Sequence, residues 1–315
     1  MNRRQFIGKT VCLSAALKCI PTVFAQKTTR LMKISLNCGN IGVNTDLISA
    51  INLAKKHGFE AIDWGANAIA ALKKEEQERV VGLMKDNNLV WGATGLTVDF
   101  RGDESRFKDG LRKLPDIASA LKTVGLTRMT TWISPTHPML GFDENFKLHK
   151  ERFTQIARVL KDFDIMFGIE YVGTKTSRQR GGNLFIYNMK QALELIEAIG
   201  ADNIGLVLDS WHWWQADETV EDLLKLKSKN IVAVDLNDAP AGIPKENQKD
   251  NRRELPAATG VIDLKGFLST LAKINYDGPL RAEPFNQQLN DMDNDNACAA
   301  TIAAMKKAFA MAGIL

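Results

Sequence analysis

From residue 33 onward, short apolar segments alternate with longer segments of amphipathic helical character. The apolar segments have the length and composition of buried β-strands, and segments such as TDLISAINLAKKHG carry apolar residues at helical spacing. Eight strand–helix units in succession are typical of a closed (β/α)8 TIM barrel, an α/β fold with one parallel sheet at its centre. The eight predicted strands are residues 33–38, 59–64, 89–95, 126–132, 166–172, 204–209, 230–236 and 278–284.

The main alternative is a doubly wound open sheet, which usually has fewer strands and a glycine-rich first turn that binds a dinucleotide. No G-x-G-x-x-G motif follows the first predicted strand, and no linker divides the chain after residue 26. The sequence therefore predicts a single barrel domain over residues 27–315.

Residues 1–26 have the pattern of an export signal rather than of a folded element. A basic start with adjacent Arg3 and Arg4 precedes a moderately apolar stretch, VCLSAALKCIPTVFA, which ends in a small-residue cleavage site. The arginine pair is compatible with the twin-arginine route as well as the Sec route. Lys18 and Pro21 interrupt the stretch, which is too short to span a membrane. We expect export to the periplasm; an amphipathic arm is the alternative.

Removal of this segment changes the charge of the protein. The chain has 41 Lys and Arg against 37 Asp and Glu, a formal net charge of +4. Residues 1–26 contain four of the basic residues and no acidic one, so 37 basic and 37 acidic residues remain. This balance gives no indication of a nucleic-acid or anionic-membrane surface.

Two cysteines, Cys38 and Cys298, remain after the predicted signal. They form neither a C-x-x-C motif nor a zinc-binding spacing. We expect two buried thiols, and a disulfide is the alternative in an exported protein.

Two connections are longer than the others, residues 173–185 and 237–263. They follow the fifth and seventh predicted strands and so leave the carboxyl ends of the strands, where the active sites of TIM barrels form. Loops of this length in a compact domain are typical of lids or binding loops.

The last four predicted strands each end with an acidic residue: Glu170, Asp209, Asp235 and Glu283. A buried ionised carboxylate is costly, so four that converge need compensation. A hard divalent cation supplies it, with Mn²⁺ or Mg²⁺ favoured and Zn²⁺ or Co²⁺ as alternatives. Taken singly, each acid is more simply interpreted as a cap for the next helix. Their occurrence on four successive strands favours a metal site.

Several segments resemble the xylose isomerase-like barrel superfamily, the sugar phosphate isomerase/epimerase group, from about residue 33 to the C-terminus. These segments are GFEAIDWG, GIEYVG, LVLDSWH, VAVDLNDAP, RELPAATGVIDL and LRAEPF. The resemblance implies metal ligands at Glu170, Asp209, Asp235 and Glu283. It also implies substrate contacts from His212 and from Arg253 or Arg252.

The sequence departs from the family pattern at Asp235, where relatives usually have a histidine. Four carboxylates around one cation carry a formal charge of −4 against +2, so either one is protonated or Asp235 turns away. The P-G-x-G turn of the family is also altered, at residues 256–260. The DNA-repair endonucleases of the superfamily need a second D-x-H motif, and residues 251–253 are Asn-Arg-Arg instead. A tri-zinc endonuclease site is therefore excluded.

The resemblance implies chemistry on a carbohydrate, and three alternatives stay open. The first is a metal-dependent isomerase or epimerase of a non-phosphorylated keto- or aldehydo-sugar, in which Glu170 and Glu283 act as base and acid around an enediolate. The second is a lyase that uses the same deprotonation for β-elimination from a 3-keto-glycoside. The third is a non-catalytic sugar-binding barrel.

Other residues at strand ends are weaker candidates for substrate contacts, with packing or solvent exposure as the alternative. They are Trp64, Trp132, His137 and Asn237. The expected partner is a small carbohydrate; a homodimer is an open alternative, because the sequence does not fix the oligomeric state.

Overall fold

The computed structural model describes residues 30–314, so the predicted export signal at residues 1–26 lies outside the described residues and stays a prediction. The strands are β1 (Lys33–Leu36), β2 (Ala61–Ile62), β3 (Val90–Trp91), β4 (Thr94–Gly95), β5 (Arg128–Ile133), β6 (Thr136–His137), β7 (Met166–Tyr171), β8 (Asn183–Leu184), β9 (Ile204–Asp209), β10 (Ile231–Leu236) and β11 (Pro279–Ala282).

The α-helices are α1 (Leu47–His57), α2 (Ala66–Ala70), α3 (Lys74–Asp86), α4 (Glu104–Val124), α5 (Phe142–Lys161), α6 (Lys175–Arg178), α7 (Met189–Ile199), α8 (Ser210–Gln215), α9 (Val220–Leu223), α10 (Leu264–Lys273), α11 (Gln287–Asn290) and α12 (Asn294–Met311). Short 3-10 helices lie at Gly39–Ile41, Ser228–Asn230 and Lys245–Asn247.

Nine parallel strands form one sheet in the order β3-β2-β1-β11-β10-β9-β7-β5-β4. The two ends of this order, β3 and β4, are two residues apart on one extended segment. β3 pairs with β2 and β4 pairs with β5, so this segment closes the sheet into a circle. The predicted (β/α)8 TIM barrel is confirmed, and every predicted strand overlaps an observed one.

The third barrel strand is split because the Asp63 side chain from the end of β2 interrupts it. The backbone N–H of Ala93 donates to Asp63 Oδ1 at 3.1 Å instead of to a neighbouring strand. A Cβ atom on Gly92 would lie 1.8 Å from the same oxygen, so only glycine allows this approach. The break places a buried carboxylate at the barrel mouth.

The helices form the outer layer, and their ends follow local rules of the sequence. α1 begins after Asp46, whose side chain accepts from Ser49 N at 3.0 Å, and ends at Gly58 with φ +80°. α7 is bounded in the same way by Asn188 and Gly200. These caps and the apolar inner faces of the helices position the outer layer against the sheet.

The two long connections both lie on the C-terminal face of the barrel. Residues 173–185 contain α6 and β8, and β8 pairs antiparallel with β6, which ties this connection to the loop after β5. In residues 237–263, the carboxylate of Asp238 accepts from the backbone N–H groups of Thr259, Gly260 and Ile262. Both connections are therefore held by specific hydrogen bonds beside the mouth.

Two further expectations can be compared with the fold. Cys38 and Cys298 are free and buried, which confirms the prediction of two buried thiols. Within residues 30–314, no helix combines the length and the apolar character needed to cross a bilayer.

Candidate active site

The four predicted carboxylates converge at the mouth of the barrel. Oxygens of Glu170, Asp235 and Glu283 lie within 4.8 Å of one another, and Glu170, Asp209 and His212 form a second group of the same kind. Asp209 is fully buried, whereas the side chains of Glu170 and Glu283 keep exposed fractions of 14% and 17%. The buried carboxylates of Asp209 and Asp235 and the more exposed ones of Glu170 and Glu283 therefore surround a common space.

Arg253 lies among these carboxylates. Its Nη1 donates to Asp209 Oδ2 at 2.8 Å and to Glu283 Oε2 at 3.0 Å, and its Nη2 donates to Asp250 Oδ1 at 2.9 Å. Arg252 is exposed and does not reach the site, so the structure selects Arg253 from the two arginines that the sequence left open. Asp250 is a site residue that the sequence analysis missed, because it lies inside a long loop without a pattern.

Asp235 forms an ion pair with Arg281. Arg281 donates from Nε to Asp235 Oδ1 at 2.5 Å, from Nη2 to Asp235 Oδ2 at 3.0 Å, and from Nη1 to Asp63 Oδ2 at 2.6 Å. Both oxygens of Asp235 are thus engaged by a guanidinium, although its position as a metal ligand stays a prediction. Arg281 precedes Glu283 by two residues, so the two-residue period of a strand was the available signal for its inward direction.

His212 has a tautomer fixed by the backbone. Gly173 N–H donates to Nδ1 at 3.2 Å, and burial lowers the pKa of His212, so the neutral imidazole carries its proton on Nε2. Nε2 lies 3.8 Å from Asp209 Oδ2 and 4.0 Å from Glu170 Oε1, both beyond hydrogen-bond distance. Arg253 Nη2, at 3.4 Å, is itself a donor. Nε2–H can therefore donate to a bound hydroxyl.

The glycine at position 173 is required by this arrangement. A Cβ atom there would lie 2.3 Å from the carbonyl oxygen of His212. The end of β7 and the first turn of α8 consequently approach each other closely, which brings the Gly173 N–H within reach of the imidazole.

Asp209 also has a structural role. Its Oδ1 accepts from Trp211 N at 2.6 Å, as a cap of α8, and from Asn237 Nδ2 at 2.9 Å. Asp209 therefore caps the helix α8, as the alternative interpretation expected, and also belongs to the group of converging carboxylates. Asn237 is fully buried and donates to Asp209, and its predicted contact with substrate stays a prediction.

The electrostatics of the mouth favour an added positive charge. Six carboxylates face two guanidinium groups, those of Arg253 and Arg281; the acids are Asp63, Glu170, Asp209, Asp235, Asp250 and Glu283. Burial and the neighbouring carboxylates raise the pKa of Glu170 well above its ordinary value and that of Glu283 to about 8.

Among the carboxylate oxygens of the described residues, Glu170 Oε1 is buried without a hydrogen-bond partner. An unpartnered carboxylate oxygen beside other carboxylates fits a hard divalent cation. Glu170 and Glu283 are the residues best placed to hold it, since both oxygens of Asp209 and of Asp235 already accept hydrogen bonds.

Three adjoining cavities occupy the mouth. The cavity beside the carboxylates has a volume of about 340 Å³ and is lined by residues that include Trp132, Glu170, His212, Arg253 and Glu283. Trp132 is 48% exposed and packs on the guanidinium of Arg101 at 4.1 Å, so its predicted position at the mouth agrees with the structure.

The remaining candidates lie farther from the carboxylates. Trp64 lines the adjoining cavity over β1 to β4. The Nδ1 of His137 accepts from Met139 N at 3.1 Å and from Leu140 N at 2.8 Å, so this imidazole closes a turn. His137 is not among the residues lining the carboxylate cavity, and its role as a substrate contact stays a prediction.

Comparisons with known proteins agree with this architecture. The chain is 23% identical over 263 residues to an inosose isomerase of Bacillus velezensis, which covers 82% of this chain and 90% of the relative. A xylose isomerase domain protein from Alicyclobacillus acidocaldarius superposes with a TM-score of 0.79 at 26% identity and covers 89% of this chain and 99% of that one. An IolI protein with bound zinc superposes with a TM-score of 0.74 at 22% identity, over 89% and 98% of the chains.

The family whose model matches is described as the xylose isomerase-like TIM barrel, and the match extends over residues 51–308. This span contains the acidic residues at the ends of β7, β9, β10 and β11 as well as Arg253. The chain belongs to the xylose isomerase-like TIM barrel family.

Proposed function

We propose that this protein is a divalent-metal-dependent isomerase or epimerase of a non-phosphorylated keto- or aldehydo-sugar. The observation that carries the proposal is the convergence of Glu170 and Glu283 on one space, with a buried oxygen of Glu170 left unpartnered. The similarity to an inosose isomerase supports the same type of reaction, a rearrangement next to a carbonyl of a polyhydroxylated ring.

The two glutamates can move a proton at the carbon beside the substrate carbonyl. One carboxylate removes the proton, the electron pair of the C–H bond becomes a C=C bond, and the carbonyl oxygen takes up the negative charge. The other glutamate returns a proton to the carbon skeleton. A divalent cation held by Glu170 and Glu283 would polarise the carbonyl and stabilise the developing charge.

His212 and Arg253 provide directional hydrogen bonds around the reacting carbons. The Nε2–H of His212 points to the space beside Glu170, where a substrate hydroxyl can accept from it and donate to the carboxylate. Arg253 holds Asp209 and Glu283 in fixed positions, which reduces the rearrangement needed when substrate binds.

Substitution of Glu170 by Gln tests the mechanism. We expect Glu170→Gln to lower turnover roughly 10²–10⁴-fold, because the amide cannot take up the proton. Solvent deuterium incorporation across a panel of keto-sugars is the measurement. Glu60→Gln is the matched control, since Glu60 pairs with Arg30 away from the mouth. Full activity of a folded Glu170→Gln protein would remove Glu170 from the mechanism.

Metal removal gives a second test. We expect chelation to abolish deuterium exchange and Mn²⁺ or Mg²⁺ to restore it better than Zn²⁺ or Co²⁺, because the available ligands are carboxylate oxygens. Elemental analysis of the purified protein identifies the ion that it carries. Exchange that persists in metal-free protein contradicts metal dependence. Absence of both metal and exchange favours the non-catalytic sugar-binding alternative.

A lyase acting on 3-keto-glycosides is the second candidate, and the shape of the mouth favours it. A glycosidic oxygen on the carbon next to the deprotonated one can leave with the same base and acid, which gives an unsaturated ketone and a free alcohol. The space beside Glu170 and Glu283 continues into a further cavity, so room exists for such a leaving group. In deuterated water, label in an intact sugar indicates epimerisation, whereas release of the alcohol indicates elimination.

A further inference from the structure

The mouth of the barrel continues well beyond the carboxylates. A cavity of about 460 Å³, here called the distal cavity, lies over β1 to β4 and is lined by residues that include Asn37, Asp63, Trp64 and Arg281. A central cavity of about 220 Å³ shares Asn37 and Arg281 with the distal cavity. The central cavity also shares Glu170 and Glu283 with the carboxylate cavity. The three spaces therefore form one cleft across the mouth.

We propose that this cleft binds a two-ring glycoside, with the oxidised ring beside Glu170 and Glu283 and the second ring in the distal cavity. The inference rests on the proposed function, because it assigns the reacting ring to the same glutamates. A single sugar ring would occupy one end of the cleft and leave the distal cavity filled with water.

The chemistry of the distal cavity matches a neutral sugar ring. Trp64 is partly exposed there and offers an apolar aromatic surface for the C–H face of a ring. Asn37, Asn44 and Thr45 supply donors and acceptors of the kind that hydroxyl groups need. An alternation of one aromatic surface with uncharged polar groups is typical of carbohydrate recognition rather than of an apolar ligand.

Arg281 stands where the two parts of the cleft meet. Three of its five N–H groups donate to Asp235 and Asp63, so its charge is balanced by these carboxylates. A charge that is already paired disfavours a phosphate in the distal cavity. The two remaining N–H groups are available to an ether or hydroxyl oxygen, because Arg281 lines both the distal and the central cavity. In this arrangement Asp235 holds the guanidinium of Arg281 in place, and this guanidinium is the hydrogen-bond donor closest to the glycosidic bond between the two rings.

The test compares two probes that differ only in the second ring, methyl 3-ketoglucoside and the 3-keto form of a β-linked glucose disaccharide. We expect kcat/KM of the metal-loaded protein to be at least about tenfold higher for the disaccharide. Ala68 lines the distal cavity and is exposed, so Ala68→Trp fills the space without altering the carboxylates. This variant should reduce the ratio of kcat/KM for the disaccharide to kcat/KM for the methyl glycoside about tenfold.

Ala71→Trp is the matched control. Ala71 is exposed, lies beside the same helix and is outside the cavity lining, so this substitution should leave the ratio unchanged.

The outcomes separate this inference from the proposed function. Equal kcat/KM values for both probes, unchanged in Ala68→Trp, overturn the two-ring cleft while deuterium exchange still supports the sugar chemistry. If neither probe reacts, the 3-keto-glycoside chemistry fails, and calorimetric titration of the disaccharide decides about the cleft. Binding that Ala68→Trp weakens and Ala71→Trp does not weaken supports the cleft, and absence of binding overturns it.

Discussion

At the scale of single residues, Asp235 shows how one substitution changes a site. A histidine at this position would present a neutral nitrogen, whereas the aspartate brings a charge that must be compensated in a buried position. Arg281 compensates it with two hydrogen bonds and is itself shared with Asp63. The pair therefore forms part of the wall of the mouth, where Glu170 Oε1 is a buried carboxylate oxygen without a hydrogen-bond partner.

Removal of one member of this pair should cost more stability than removal of both. We expect Asp235→Leu to lower the free energy of unfolding by roughly 3–5 kcal/mol, because Arg281 loses its main counterion inside the barrel. The double variant Asp235→Leu/Arg281→Met should recover part of the loss. Urea denaturation of the three proteins provides the measurement, and a double variant less stable than Asp235→Leu would contradict this account.

Glu218 gives a prediction about pH that does not involve the mouth. Burial raises its pKa from 4.5 to about 7, even though it accepts hydrogen bonds from Tyr171 and Met189 N. The folded protein then keeps the proton to a higher pH than the unfolded chain does. Stability should therefore fall as the pH rises from about 4.5 to about 7, by about 2 kcal/mol between pH 5 and pH 7, and level off above. In urea titrations at several pH values, Glu218→Gln should lack this dependence of the free energy of unfolding on pH. The same dependence in both proteins would contradict a raised pKa for Glu218.

At the scale of elements, the split third strand depends on a glycine. Gly92 allows Asp63 to enter between β3 and β4, and a Cβ atom at this position would overlap the carboxylate. Gly173 has a corresponding role between β7 and α8, where it permits the hydrogen bond that fixes the tautomer of His212. In both places a glycine, which has no side chain, lies at a strand end and lets a functional group approach the backbone.

Two glycine substitutions in neighbouring elements should have opposite effects. Gly92→Ala should lower the free energy of unfolding by roughly 1–3 kcal/mol, because Asp63 must move away from Ser35 and Arg281. Gly82→Ala, within α3 and with open space around the added carbon, should raise it by roughly 0.5–1 kcal/mol. Thermal unfolding distinguishes the two. A stabilising Gly92→Ala would show that Asp63 does not occupy this position.

At the scale of the whole molecule, the charge balance agrees with the chemistry proposed for the site. The chain after residue 26 carries equal numbers of acidic and basic side chains, so no long-range field would attract a phosphorylated substrate. The mouth adds an excess of carboxylates to this neutral background. Both features favour a neutral sugar as ligand.

Export can be tested on the complete chain. We propose that residues 1–26 direct the protein to the periplasm, on the basis of the basic start and the apolar stretch. N-terminal sequencing of the exported protein should give a start close to Lys27. Replacement of Arg3 and Arg4 by lysine should stop export if the twin-arginine route is used and leave it intact if the Sec route is used. A full-length protein in the cytoplasm of the native host would contradict the signal.

The sequence by itself determined the barrel and the edge at which the site lies. Strand and helix periodicity are local properties, and the carboxyl ends of parallel strands meet on one face, so Glu170, Asp209 and Glu283 could be placed together without coordinates. Tertiary structure alone decided the charge pairing at the mouth. Arg281 meets Asp63 across 218 positions of chain, and Arg253 instead of Arg252 faces Asp209. Such pairings depend on distances of a few ångströms that arise only when the barrel closes, and no local pattern encodes them.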